Sequence, residues 1–244
     1  MVTQLALLAI GAYLLGSVPA AYLVAKWSRG IDVRRYGSGN VGASNILRIT
    51  SKRLSIPVII FDLGKGMLPI YIAQLIGLQV YQQVIVGSAT IIGHNWSVFL
   101  RFSGGRGILT TAGVVFVLSW KLALVLVAIA FAFLPFGQFA LGTLIALTLL
   151  PISSWFINQP FSIEKSLLIT LSFVAIPLLA IVRRLTAPQT PFTTSVPPTQ
   201  LFINRLLFDR DIRDRKAWIS RVPTDVNSIE QPLESQEKQE ESGA

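Results

Sequence analysis

Leu5-Ala-Leu-Leu-Ala-Ile-Gly-Ala-Tyr-Leu-Leu-Gly-Ser-Val-Pro-Ala-Ala-Tyr-Leu-Val-Ala25 runs for 21 residues without a charge. About 20 predominantly apolar residues carry a helix across the hydrocarbon core of a bilayer. The stretch therefore reads as a membrane span, interrupted only by Gly16-Ser17-Val18-Pro19. Further apolar stretches follow at 54–78, interrupted by Asp62-Leu63-Gly64-Lys65-Gly66, and at 84–100, 108–136, 139–157 and 166–182. The fourth of these, 108–136, is apolar apart from Ser119-Trp120-Lys121 and counts as one long span or two short ones. Of the 244 residues 52% are hydrophobic and 14% charged, and the mean hydropathy is +0.61. A soluble domain carries about 25% charged residues, so the composition excludes a disordered chain and argues against a soluble enzyme. The chain has no cysteine, which removes disulfides, thiolate nucleophiles and cysteine metal sites. Its one histidine, His94, removes a multi-histidine centre, and no metal site is expected.

The charges divide the chain. Before residue 185, fourteen basic residues face three acidic ones, a balance of +11; afterwards seven face nine, a balance of −2. In a soluble protein such a basic excess would suggest nucleic acid. Among membrane spans it marks short loops kept on the cytoplasmic side instead, and no nucleic-acid partner is expected. The loop 26–53 holds Lys26, Arg29, Arg34, Arg35, Arg48, Lys52 and Arg53 against Asp32 alone, so it is assigned inside and the N-terminus outside. Two spans later Arg101 and Arg106 are inside again. Arg183 and Arg184 also belong inside, which requires an odd number of spans. The expected fold is all-α: a polytopic integral membrane protein of about seven transmembrane helices, its 108–136 stretch turning at Lys121 and its C-terminus cytoplasmic. Residues 1–184 form the membrane domain, and 185–200 a Pro/Thr-rich linker that cannot continue a helix. Residues 201–244 form a cytoplasmic mixed-charge tail. Within that tail, 208–218 alternates acids and bases in the manner of a solvent-facing or membrane-surface helix, and the polar stretch from Thr224 reads as disorder. No basic region precedes the first apolar run, so no cleavable signal peptide is expected.

Three polar segments converge on one face. Tyr36-Gly-Ser-Gly-Asn-Val-Gly-Ala-Ser-Asn-Ile-Leu-Arg48 combines three glycines with Ser38, Asn40, Ser44, Asn45 and Arg48. Glycines let backbone N–H groups approach an anion, and hydroxyls, amides and a guanidinium supply further donors. Phe61-Asp-Leu-Gly-Lys-Gly66 places Asp62 and Lys65 three apart on one helix face. Ionisable groups inside an apolar span are expensive, so the two form either a self-neutralising structural pair or part of a site. Gly93-His-Asn-Trp-Ser-Val-Phe-Leu-Arg-Phe-Ser-Gly-Gly-Arg-Gly107 resembles a second anion nest, Gly104-Gly105-Arg106-Gly107, but lacks the spacing of a Walker loop. His94 is either a hydrogen-bonded structural residue or a site residue. Two basic, glycine-rich nests surrounded by apolar spans imply a phosphate-bearing ligand and a lipid-like partner. No local nucleophile–base pair is present. Any catalysis would rest on positioning and electrostatics, with the substrate itself as a proton acceptor.

These motifs, in this order and spacing, resemble the PlsY family of bacterial membrane acyltransferases across about residues 5–182. The matching elements are Gly16-Ser-Val-Pro19, Gly37 to Arg48 with Ser44 where threonine is usual, Phe61-Asp-x-Gly-Lys-Gly66, and Gly93-His-x-Trp…Phe-x-Gly-Gly-Arg-Gly…Thr110. The resemblance implies transfer of a fatty acyl group from acyl-phosphate to the 1-hydroxyl of glycerol 3-phosphate, without metal, cofactor or coenzyme A. It further implies a multi-pass protein of the bacterial plasma (inner) membrane, in contact with lipid, its active site facing the cytoplasm. By similarity the catalytic residues are Ser38, Arg48 and Arg106, the last replacing the family's lysine. Gly39, Asn40, Ser44, Asn45, Lys65, His94, Gly104, Gly105 and Thr110 line the substrate site. The family's closing Arg-His-x-x-Asn-Ile-x-Arg-Leu has no direct counterpart. Arg183-Arg184-Leu185-Thr186 lacks its histidine and asparagine, and a partial echo, Asn204-Arg205-Leu206, comes beyond the linker. The sequence gives no oligomeric state; a monomer suffices. The competing reading, a membrane anion or organophosphate transporter, expects sites near the midplane and internal repeats, and the 36–48 pattern does not recur.

Overall fold

The computed structural model describes residues 2–157 and 163–221, and among these every regular element is helical. The first apolar stretch forms α1 (Val2–Ser17) and α2 (Ala20–Arg29). They part at Pro19, which lacks the N–H that would continue the ladder. Then come α3 (Ala43–Ile49), α4 (Lys52–Leu75) and α5 (Val80–Asn95). The apolar stretch 108–136 is not one helix. It stops at Ser119, whose backbone is extended and whose hydroxyl accepts from the Leu122 N–H at 3.4 Å. The break yields α6 (Ile108–Leu118) and α7 (Trp120–Ala132), followed by α8 (Phe139–Ile157) and α9 (Ile163–Leu185). Two short helices, α10 (Pro198–Ile203) and α11 (Arg215–Ile219), complete the order.

Among the described residues four helical stretches are long and apolar enough to cross a membrane: Val2–Arg29 taken through its break, Lys52–Leu75, Phe139–Ile157 and Leu167–Leu185. At 11 and 13 residues, α6 and α7 are about 16 and 20 Å long, each shorter than the ~30 Å hydrocarbon core.

Burial is inverted relative to a soluble domain. Ile60, Leu75 and Phe156 are exposed at 65, 68 and 72%, whereas Asp62, Thr90, Asn95 and Thr110 are buried. A soluble monomer rarely leaves such contiguous apolar surface open; lipid accepts it. Packing inside relies on small residues that let backbones meet, as in membrane helices generally. A Cβ on Gly16 would strike the Thr90 carbonyl of α5, and one on Gly93 the Tyr13 carbonyl of α1. Those two close approaches join α1 to α5. Elsewhere α4 packs on α6, and α7 on α8. An apolar core of Ile70, Val86, Val114, Leu122, Leu150 and Phe173 fills the helix bundle, and a second cluster around Val33, Ile46 and Val58 supports the 30–51 loop.

The C-terminal segment departs from an extended linker and an exposed charged helix. Asp211 is its centre: the carboxylate accepts from Thr190 Oγ1 at 2.6 Å, Thr193 Oγ1 at 2.7 Å and Arg205 Nε at 2.7 Å. Arg205 also donates to the carbonyls of Leu185 and Ala187. Arg184, buried, reaches the carbonyls of Leu206 and Ala140 at 2.7 and 2.6 Å. A π-helical turn over Asn204–Phe208 ends where the 208–218 stretch begins, and the next helix is α11, from Arg215. Asp209 adopts φ 56°, and Asp209 and Asp211 pair with distant partners rather than with neighbours one turn on. The stretch from Thr224, read from the sequence as disordered, lies outside the described residues.

Candidate active site

The 36–45 loop owes its shape to two glycines and one asparagine. Gly37 and Gly39 hold φ of 57° and 69°, a region that L side chains disfavour. Asn45, fully buried on α3, accepts from the Ser38 N–H at 3.0 Å and donates to the Tyr36 and Val33 carbonyls at 3.0 and 3.2 Å. Its amide is consumed in holding the loop. Ser38 Oγ in turn accepts from the Asn40 N–H at 3.4 Å.

The 101–107 loop is pinned from α9. Arg183, buried, donates from Nε to the Gly105 carbonyl at 2.8 Å and from Nη2 to the Gly104 carbonyl at 2.6 Å, its guanidinium lying 5.8 Å from the Trp96 ring centre. Gly105 is required by proximity: a Cβ there would collide with the His94 ring. Arg106 projects from this loop, donates to the Arg183 carbonyl at 3.4 Å and pairs with Asp209 at 3.1 Å.

Both loops line one cleft of about 530 Å³. Its walls include Ser38, Gly39, Asn40, Gly104 and Arg106, joined by Arg34, Arg35, Arg183, Trp218 and Arg221. Arg34 is held bidentate by Asp32, with Nη2 to Oδ2 at 2.6 Å. Partial burial pushes the Asp32 carboxyl up, but the bonds from Arg34 outweigh it and leave it below the usual carboxylate range. Burial draws the Arg221 guanidinium down; Asp211 opposes that and the like charge of Arg106 adds to it. Five arginines on the walls, two of them paired with Asp32 and Asp209, leave the concavity an excess of positive charge that favours anions.

Beneath Gly104 and Gly105 lies the buried polar trio. Asp62 pairs with Lys65 at 2.8 Å, and His94 Nδ1 stands 3.6 Å from the same carboxylate oxygen. Lys65 also donates to the Val18 carbonyl at 3.1 Å, a group freed by the break at Pro19. Lys65 and His94 line a small void of about 10 Å³ with Gly104 and Gly105. Thr110 is buried on α6, its carbonyl packed against Gly66. Ser44 and Arg48 are exposed on α3 and do not line the cleft.

Sequence reasoning did not single out Arg34, Arg35, Arg183, Trp218 or Arg221 as site residues. The two arginine pairs, 34–35 and 183–184, were visible as positive loop charge, and their adjacency to the 36–48 motif and to the last span was the available signal. Trp218 and Arg221 carried none, because a fold-back of the tail leaves no trace in charge alternation.

A model of the family described as glycerol-3-phosphate acyltransferase matches residues 6–188. Two relatives from Dehalococcoides mccartyi, named glycerol-3-phosphate acyltransferase 4 and 5, are 44% and 45% identical; the matches cover 86% and 88% of this chain and 90% and 92% of theirs. Among solved structures, crystal structures of PlsY, an integral membrane glycerol 3-phosphate acyltransferase, are similar in its glycerol 3-phosphate and lysophosphatidic acid forms. Their TM-scores are 0.66 and 0.64 at 31% and 29% identity, covering 74% of this chain and 88% of PlsY.

Proposed function

The chain belongs to the glycerol-3-phosphate acyltransferase family, and from that premise we propose how its cleft works. The protein is a membrane acyltransferase of phospholipid synthesis. The acyl donor is acyl-phosphate, the acceptor is the 1-hydroxyl of sn-glycerol 3-phosphate, and the products are 1-acyl-glycerol 3-phosphate and phosphate. The supporting observation is the meeting of two glycine-rich loops, at Ser38–Asn40 and Gly104–Arg106, in one arginine-lined cleft. Such a cleft accommodates phosphoryl groups, and family membership displaces the transporter reading.

In the proposed step the acceptor hydroxyl oxygen attacks the acyl carbonyl carbon. The carbonyl–phosphate oxygen bond then breaks, and the hydroxyl proton passes to the departing phosphate. Arg106 and the Ser38–Asn40 loop hold phosphoryl oxygens, so the rate derives from placement and charge stabilisation. Ser44 and Arg48 contribute from the exposed face of α3, where substrate extends past the cleft. Lys65 and His94 support the 104–105 backbone from below.

The shared cleft also supports a topology. Loops 30–51 and 101–107 and the segment after α9 meet, so they occupy one side of the membrane. Crossings by α4 and α5 return the chain once; α6 to α9 return it again if α6 and α7 act as a short antiparallel pair. With α1–α2, seven crossings result, placing the N-terminus outside and the cleft facing the cytoplasm of a bacterial inner membrane.

The test is a donor comparison on purified protein with labelled glycerol 3-phosphate. Labelled lysophosphatidate is expected with a long-chain acyl-phosphate and not with the corresponding acyl-coenzyme A or acyl carrier protein. Product from the thioesters alone would overturn the donor assignment.

A further inference from the structure

The family match ends at residue 188, yet one wall of the cleft is built by residues beyond it. Arg221 is fixed there by several independent contacts. Its Nε donates to the Gly37 carbonyl at 2.9 Å and to the Trp218 carbonyl at 3.2 Å. The Gly37 N–H returns a bond to the Arg221 carbonyl at 2.9 Å, and the guanidinium lies over the Trp218 ring, 4.1 Å from its centre. Stacking on an aromatic face orients a guanidinium fork without neutralising it. Asn45 thus holds the Gly37–Gly39 turn from one side and Arg221 holds it from the other.

Among the described residues no carboxylate forms an ion pair with Arg221, although Asp211 is near enough to act on it. Of the nearby carboxylates, Asp32 is engaged by Arg34, Asp209 by Arg106, and Asp211 by Arg205 and two threonines. Arg221 Nη2 is buried without an acceptor among the described residues. It sits 3.1 Å from where a side chain on Gly39 would begin, directly beside the proposed phosphate loop. A buried guanidinium donor without an acceptor is costly, and a phosphoryl oxygen is the acceptor whose geometry and charge match it.

We propose that Arg221, supplied by the C-terminal segment, binds a substrate phosphoryl group in the cleft, with Trp218 and Gly37 orienting its guanidinium. This rests on the acyltransferase reading above. It assigns the segment after α9 a part in the substrate site. A relative's match covers 215 residues of this 244-residue chain and so reaches past residue 188.

The experiment measures KM and kcat for both substrates in wild type, Arg221→Gln, Arg221→Lys and the exposed-arginine control Arg213→Ala, with melting temperatures in the same detergent. Wild-type turnover comes first: its absence counts against the acyltransferase reading and leaves the binding test below to judge Arg221. Arg221→Gln is expected to raise KM for one or both phosphate substrates about tenfold or more, the worth of one charge-assisted hydrogen bond, with a smaller change in kcat. Arg221→Lys should fall between, and Arg213→Ala should match wild type. A rise confined to glycerol 3-phosphate assigns the acceptor phosphate; one confined to acyl-phosphate assigns the donor. KM values within twofold of wild type for both substrates in Arg221→Gln would overturn the proposal. Where the Gln variant does not fold, inorganic phosphate is titrated into wild type and Trp218→Phe. A tryptophan emission change present in the first and absent in the second supports the assignment, and no change in wild type overturns it.

Discussion

Arg106 and Asn45 divide the labour of the cleft between charge and shape, and their substitutions should fail differently. Arg106→Ala removes a cation from the proposed phosphate site and is expected to reduce kcat/KM by about 100-fold. Arg106→Lys keeps the charge, loses the fork and should retain a substantial fraction; equal rates for the two would show the charge to be idle. Asn45 touches only the backbone of its own loop. Asn45→Ala should therefore cost about 2–3 kcal/mol of stability, read as a lower melting temperature, with activity falling because Ser38 is no longer held. The sequence displayed the polar residues of 36–48 as one set. It did not separate Asn45, turned inward, from Ser44, turned outward, because adjacent helix positions differ in facing only once a neighbour defines the inside.

At the scale of elements, the legible features were those set by composition and local backbone rules. Apolar length located the helices and the 16–19 interruption marked where α1 gives way to α2, but the turn expected at Lys121 falls at Ser119, whose hydroxyl caps α7 and leaves Lys121 inside that helix. Illegible features depended on contacts remote in sequence. The small-residue seam between α1 and α5 is one, and Gly16→Leu is expected to cost about 3 kcal/mol because the Thr90 carbonyl cannot yield; an unchanged melting temperature would contradict that packing. The C-terminal fold-back is another. Burial raises the Asp211 pKa, but hydrogen bonds from Arg205, Thr190 and Thr193 outweigh it and hold the carboxyl below its ordinary value. A lowered folded-state pKa contributes stability that is complete above the unfolded value of about 3.9 and is lost as pH falls through the folded one. The segment should stay docked through neutral and mildly acidic pH and loosen only below about pH 4. The difference in tryptophan emission between wild type and Trp218→Phe reports this, and a transition between pH 5 and 7 would count against it.

For the whole molecule, the decisive quantity is sidedness. The chain contains no cysteine, so single introduced thiols report without background. An impermeant reagent should label Ser28→Cys, Ser103→Cys and Ser220→Cys from one face of the membrane and Thr3→Cys from the other. Labelling of Ser28→Cys and Ser103→Cys from opposite faces would dismantle the common cleft. Positive loop charge already placed these loops together in the sequence, since lysine and arginine resist translocation; it was silent on the docked tail, whose net charge is small. The reciprocal bonds between Gly37 and Arg221 join positions 184 apart. A ribosome that has released every membrane helix has still delivered a cleft with one wall missing. With Arg221 in its proposed role competence arrives late in translation, and an abortive chain ending near residue 190 is expected to insert into the bilayer yet leave the activated fatty acid unspent.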